Sequence, residues 1–423
     1  MINLLIKKDL FRRNSQLYKR LKSTDYILWL IPLTLSFLGS FLIASTQRQL
    51  DDANWYNHLI TSFVGLCLAF IFSQSPLETI KKSLIPIYSF TILSLIAVTF
   101  LGTSAFGAQR WLSIAGLNLQ PSEIAKLTSI IVLAGILDRY KFDTLKKLIK
   151  PLFIIFIPWI LVFIQPDLGT SLVFGAILLV MLYWAGMPFE WGLIVLSGIV
   201  TAILTGISIW SLILWFPLIG FLAYRSLPNK NFFTGTVILI QGLIASFTPW
   251  LWKFGLKDYQ RERLTLFLDP AKDPLGGGYH LLQSQISIGS GGLFGTGIMQ
   301  GQLTKLHFIP EQHTDFIFSA LGEETGFVGT IFVVIAFLLL IVRLLKIATN
   351  ARTNFESLVV IGIVSMLMFQ VIVNTFMNIG LGPVTGIPLP FMSYGRTALL
   401  VNFAAIGLCI SVSRRSKSLN RTL

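Results

Sequence analysis

The sequence predicts an all-α, polytopic integral membrane protein of about 12 transmembrane helices, and three observations predict it. Apolar residues fill 54% of the 423 positions and charged residues only 12%, where a soluble domain carries about 25% charged residues. Mean hydropathy is +0.74. The apolar residues also gather into runs of roughly 17–25, the length that crosses a bilayer. A large soluble core cannot absorb this excess, because single cores stop growing near about 250–300 residues.

In chain order, residues 1–25 form a polar, basic segment on the cytoplasmic side, too long for the leading region of a signal peptide. Spans are expected at 26–46, 56–74, 83–102, 122–137, 151–166, 168–186, 190–205, 207–224, 233–252, 326–346, 357–377 and 396–413. Only Gly206-Ile207-Ser208 separates the seventh from the eighth, and Pro217 interrupts the eighth. Residues 26–413 thus read as one transmembrane domain, followed by a basic cytoplasmic tail at 414–423.

Basic residues set the orientation. With the N-terminus in the cytoplasm, 23 of the 33 Lys and Arg fall on that side, among them Lys7, Lys81, Arg139, Arg225, Arg343 and Arg414. The net charge of +14 is therefore read as topogenic, and nucleic acid is excluded as a partner. Ten cations oppose the bias: Arg48, Arg110, Lys126, Lys253, Lys257, Arg261, Arg263, Lys272, Lys305 and Arg396. An anionic ligand at the outer membrane face would account for them. Cys67 and Cys409 lie inside apolar runs, against a disulfide framework or a zinc site.

The longest stretch without a span, 253–325, is an extracytoplasmic loop holding eight of the nineteen acids. Loops of that length are functional or disordered, and its Ile, Leu, Phe and Tyr content argues for order. Within it, FIPEQHTDFIFSALGEETGFVG sets Glu311, His313, Asp315, Glu323 and Glu324 against an apolar run. Two readings of Asp315 stand side by side. It, or Thr314, could cap a helix entering the membrane, with Glu323 and Glu324 near the next helix start. Alternatively it is a general base whose proton affinity is raised by apolar surroundings, with His313 as a neighbour that orients or binds substrate.

Other stretches offer cations. GAQRWLSIAGLNLQPSEIAKL places Arg110 in an outer loop and Pro121 at a helix start, with Glu123 and Lys126 one turn apart on a shared face. The pair is either a structural ion pair hidden from lipid or part of an anion site. In IQPDLGTS, Asp167 reads as a helix cap. In DYQRERLTLFLDP, Arg261 and Arg263 suit phosphate oxygens, although a helix lying on the membrane explains them almost as well. NIGLGPVTGIPLPFMSYGRT, with three prolines and four glycines before Arg396, cannot cross as a regular helix and must be buried or line a cavity.

Taken together, the blocks GAQRWLSIAGLNLQPSEIAK, QPDLGTS, YQRERLTLFLDPAKDPLGGGYHLLQSQISIGSGGLFGTG, FIPEQHTDFIFSALGEETGFVG and GPVTGIPLPFMSYG resemble the SEDS family (shape, elongation, division and sporulation) over about residues 100–410. GAQRW and DPLGGGYH place the resemblance nearest its rod-shape branch. The resemblance implies a peptidoglycan glycosyltransferase that polymerises lipid II with inversion into β-1,4 strands on the outer face of the bacterial plasma membrane. It implies Asp315 as the catalytic acid and Arg110 and Lys126 as holders of the lipid diphosphate. Glu123, Gln120, Arg261, Arg263, His313 and Ser393 complete the expected substrate-binding set. Membrane lipids and a class B penicillin-binding protein, a transpeptidase, are the implied partners. No cofactor is required by the sequence and no carboxylate cage is visible, which leaves a divalent cation, Mg or Mn, open. Two features depart from the family pattern. Arg396-Thr397 stand where Gly-Ser is usual, and 190–252 is longer than the usual single span, suggesting an extra pair of helices. The competing functional readings are a lipid-linked precursor flippase and a non-enzymatic scaffold of the cell-wall machinery.

Overall fold

The computed structural model describes residues 25–47, 54–105, 108–114, 117–139, 146–256, 258–273, 278–306, 308–309 and 311–419. The basic N-terminal segment and the last residues of the basic tail lie outside the described residues.

Each expected span coincides with a helix. The chain runs α1 (Ile27–Thr46), α2 (Asn54–Gln74), the short α3 (Leu77–Lys81) and α4 (Leu84–Leu101). Next come α5 (Pro121–Leu137), α6 (Lys146–Ile164), α7 (Leu168–Trp184), α8 (Phe189–Ile207), α9 (Leu212–Ser226) and α10 (Lys230–Trp250). A π-helical turn ends α10 at Leu251–Gly255. The loop that follows is itself structured, with α11 (Asp258–Leu268), α12 (Tyr279–Ser290) and α13 (Gln302–Lys305). The chain closes with α14 (Ile317–Thr349), α15 (Asn354–Asn378) and α16 (Arg396–Leu419). Among the described residues, ten helices are long and apolar enough to cross a membrane, and α7 is a shorter apolar helix.

Local chemistry sets the helix ends. Pro121 opens α5, where the missing N–H costs nothing. The Asp167 carboxylate caps α7 by accepting from the Thr170 N–H at 3.3 Å. Thr353 caps α15 through the Glu356 N–H at 3.2 Å. Gly326, at φ 65° and ψ −164°, divides α14 into a short half-helix and a long membrane-length one, a backbone conformation that glycine reaches without steric penalty.

The core is formed by α5, α15 and α16, which are buried along most of their lengths. Helix α16 lies along α2, and α15 packs against α5, α7 and α14. A side chain at Gly407 would place its Cβ 2.5 Å from the Ala69 carbonyl oxygen, so the α2–α16 approach depends on that glycine. Small residues serve such close approach where no water drives helices together.

One feature differs from the sequence reading, and another follows it in more detail. The stretch 101–121 is not simple loop: β1 (Thr103–Ala105), β2 (Ala108–Ile114) and β3 (Leu117–Leu119) form a three-stranded antiparallel sheet in the order β1-β2-β3, with Leu112 opposite Leu119. The extra chain near 190–252 builds a three-helix unit, α8–α10, whose members pack on one another, with α8 meeting α7. Its centre is polar. Trp215 Nε1 donates to Thr201 Oγ1 at 2.8 Å, Thr201 donates to Gln241 Oε1, and Gln241 Nε2 donates to Ser197 Oγ. An amide in hydrocarbon needs such partners.

Candidate active site

Asp315 sits in the turn immediately before α14, and its position is imposed from below. Its carbonyl accepts from Asn374 Nδ2 at 2.9 Å and from Asn378 Nδ2 at 3.2 Å, both amides rising from one face of α15. Asn374 also donates to the Ile387 carbonyl at 2.8 Å. One helix thereby ties the Asp315 turn to the Pro/Gly-rich segment 379–395. That segment carries Gly386, at φ +75°. A Cβ built there would stand 3.5 Å from Asp315 Oδ2 and 3.7 Å from Arg263 Nη1. The carboxylate and the guanidinium thus converge beside Gly386, whose positive φ favours glycine.

The electrostatics of this space are mixed. Burial pushes the Asp315 carboxyl up to about 6 from an ordinary 3.8. Arg263 and Arg110 pull it down, while Glu311 and Asp167 push it further up. His280, stacked 6.2 Å from the Phe316 ring, is lowered by burial and by Arg263, with Glu311 opposing. Around neutral pH the site therefore holds an ionised Asp315 and an uncharged His280.

Arg110 reaches the same region from β2. Its guanidinium donates to the Gln165 carbonyl at 3.3 Å and to the Pro166 carbonyl, and lies 3.9 Å from Asp167 Oδ1. Gln120 Nε2 donates to Asp167 Oδ2 at 3.3 Å, and the Gln120 N–H donates to Thr397 Oγ1 at 3.1 Å. Asp167 is thus more than the helix cap expected of it: it also receives Arg110 and Gln120. Thr397, of the Arg396-Thr397 pair that departs from the family pattern, anchors the start of α5.

The structure distributes the remaining expected residues more widely. The His313 carbonyl accepts from the Tyr394 N–H at 2.9 Å and its ring lies 5.7 Å from the Tyr394 ring. Ser393 is buried, with its hydroxyl accepting from the Leu389 N–H at 2.8 Å, which closes a turn of the Pro/Gly-rich segment. Arg261 lies on α11, as does Arg263. Lys126 is 1% exposed and ion-paired to Glu123 Oε1 at 2.7 Å inside α5. The second oxygen of Glu123, Oε2, is buried and lacks a hydrogen-bond partner among the described residues.

Glu323 and Glu324 hold the loop together. Glu323 accepts from the Leu303 and Thr304 N–H groups at 2.8 and 2.9 Å and from Thr304 Oγ1 at 2.6 Å. Glu324 accepts from the Met299 N–H at 3.1 Å and from Ser45 Oγ. Among the described residues no group of three or more His, Cys, Asp or Glu side chains converges as metal ligands.

Asn374, Asn378, Gly386 and His280 were not singled out in the sequence, and Glu311 was named there only as one of the clustered acids. The two asparagines did leave a trace: they are four residues apart in an otherwise apolar run, the spacing that puts two polar groups on one helix face.

The fold and site define a polytopic membrane protein with a carboxylate, flanked by arginines, at one end of its helical bundle. The chain belongs to the FtsW/RodA/SpoVE family, whose model, described as "Cell cycle protein", matches residues 22–215 and 211–418. This is the family the sequence blocks resemble. Peptidoglycan glycosyltransferase MrdB of Escherichia coli is 37% identical over 400 residues, covering 94% of this chain and 96% of that protein. Peptidoglycan glycosyltransferase RodA of Treponema pallidum is 32% identical over 428 residues, covering 92% of this chain and 98% of the relative. A solved chain from a study of polymerisation and crosslinking by a peptidoglycan synthase complex superposes with a TM-score of 0.71 at 28% identity, covering 93% of this chain and 98% of the other. The crystal structure of Thermus thermophilus RodA shares the fold, with a TM-score of 0.61 at 23% identity over 92% of this chain and 97% of the other.

Proposed function

We propose that this protein is a peptidoglycan glycosyltransferase that joins lipid II units into β-1,4 glycan strands at the outer face of the bacterial plasma membrane during elongation. The observation that carries the reading is the Asp315 carboxyl, raised to about 6 and gathered with Arg263 beside Gly386. A general base works best with a proton affinity near the operating pH.

In the proposed step, the acceptor 4-hydroxyl oxygen attacks the anomeric carbon of the donor sugar from the face opposite its diphosphate. The new C–O bond forms as the carbon–oxygen bond to the diphosphate breaks, so configuration inverts. Asp315 takes the hydroxyl proton. The undecaprenyl diphosphate leaves with the bonding electron pair, and Arg110 and Arg263 neutralise its developing charge. Arg261 and His313 steer the sugar-diphosphate into place. Gln120 and Ser393 hold the walls of the site. Lys126 is committed to Glu123 in this arrangement and becomes a third phosphate cation when substrate draws it from that partner. The active loop faces outward, with both termini cytoplasmic. A class B penicillin-binding protein crosslinks the strands. Support comes from the family, from relatives that carry this activity in their names, and from the site chemistry.

Purified protein in proteoliposomes, given purified lipid II with and without the transpeptidase, tests the reading. Glycan strands on gels are expected in both cases, with more in the presence of the partner. Lipid II translocation without any polymer would favour the flippase instead.

A further inference from the structure

The turn GSGGLFGTGIM, between α12 and α13, exposes three bulky apolar side chains: Leu293 (65%), Phe294 (80%) and Ile298 (61%). It belongs to no membrane-length helix. In water, such a cluster would be an aggregation liability. Its neighbours give it a different setting. The Phe327 N–H donates to the Gly292 carbonyl at 2.9 Å and the Val328 N–H to the Leu293 carbonyl at 3.1 Å. The turn is therefore level with the first residues of the membrane-length part of α14, just past the Gly326 break. Phe327 and Val328 are exposed as well, and Ile331 and Phe332 continue that face. In a bilayer this face of α14 meets acyl chains, and the turn extends it.

The turn is also fixed rather than loosely appended. The Thr296 N–H donates to the Glu323 carbonyl at 2.9 Å and the Gly297 N–H to the Glu324 carbonyl at 3.1 Å. Gly295 packs so closely that a Cβ would come within 2.1 Å of the Glu324 carbonyl oxygen.

We propose that Leu293, Phe294 and Ile298 form a wedge inserted into the bilayer edge nearest the site, occupied by lipid acyl chains rather than by a protein partner. Amphipathic elements seat about 5–10 Å into the boundary between headgroups and chains. The wedge grips the Glu323–Glu324 end of the half-helix that begins just after Asp315, and so ties that half-helix to the membrane surface. This inference rests on the membrane fold, not on the proposed activity.

The test uses full-length protein with Cys67→Ser, leaving Cys409 buried, and Phe294→Cys labelled with an environment-sensitive fluorophore in phosphatidylcholine nanodiscs. Lipids carry a nitroxide either on the headgroup or high on the acyl chain. The inference predicts blue-shifted emission and greater loss of fluorescence with the acyl-chain nitroxide, without any partner protein. The same label at Lys272→Cys, an exposed loop position, should lose less with that nitroxide. Leu293→Cys repeats the reading should the label at 294 disturb folding. Quenching by aqueous iodide with none from acyl-chain nitroxide overturns the proposal. Protection that arises only when the transpeptidase is added overturns it too, because a protein would then be the occupant.

Discussion

At the residue scale, the raised Asp315 carboxyl makes two opposite demands. As a base it must be ionised, so kcat/KM should rise with pH through about 6 rather than through the ordinary carboxylate range. Arg263→Gln removes a group that lowers it and should move this acid limb to higher pH; Glu311→Gln should move it lower. For stability the sign is reversed. The unfolded chain ionises near 3.8 and the folded site near 6, so ionisation at this site costs stability as pH rises from the first value to the second, and the cost persists above it. Asp315→Asn should therefore raise Tm at neutral pH while removing activity. Thermal melts at acid and neutral pH check this: the gain should shrink in acid.

Gly386 belongs to the same scale. An alanine there would adopt φ +75° at a cost of about 1–2 kcal/mol and put a methyl group beside Asp315 and Arg263. Gly386→Ala is expected to lose far more strand synthesis than Tm. That glycine was not legible in the sequence, because GPVTGIPLP shows an irregular segment but not which of its residues faces the carboxylate. Asp315 was legible as a candidate because an acid beside an apolar run is costly wherever it falls.

At the element scale, the site is a junction of α15, the Asp315 turn and segment 379–395. Asn374→Leu leaves the buried Ile387 carbonyl without its donor and removes one of two from Asp315, a loss of about 1–3 kcal/mol. Denaturation in detergent should show that loss, and activity should fall beyond it because the base is no longer held. Glu323→Gln tests the loop differently. A carboxylate receiving two N–H groups and a hydroxyl is worth more than its amide isostere, so limited proteolysis between α12 and α14 should accelerate. The helices were readable from apolar run length. The three-stranded sheet was not, since strands of three to seven residues broken by glycines leave no period to detect. The fate of Lys126 was left open for a related reason: one-turn spacing predicts that it and Glu123 share a face, but not that the pair is sealed inside the core.

At the scale of the whole molecule, contacts independent of charge counting agree with the alternation of sides. Groups assigned to the cytoplasmic side meet each other: Lys81 with Asp138 at 2.7 Å, and Arg343 with Asp25 at 2.6 Å. Groups assigned outside also meet, as Arg110 with Asp167 and Gln120 with Thr397. The α8–α10 unit stands apart from this framework, its polar centre satisfied within itself. Gln241→Leu should loosen that unit and leave the acid limb of the pH profile unmoved, since the charged groups that shift the Asp315 carboxyl, Arg263, Glu311, Arg110 and Asp167, all lie outside it. The measurement that bears most directly on the central claim is strand formation from lipid II in one proteoliposome preparation by the unaltered protein, Asp315→Asn and Asp315→Glu. The account predicts loss of about 10²–10⁴ in rate for Asn, with Glu recovering part of it and lipid translocation and transpeptidase binding unchanged in both. Strand formation by Asp315→Asn at the unaltered rate would contradict it.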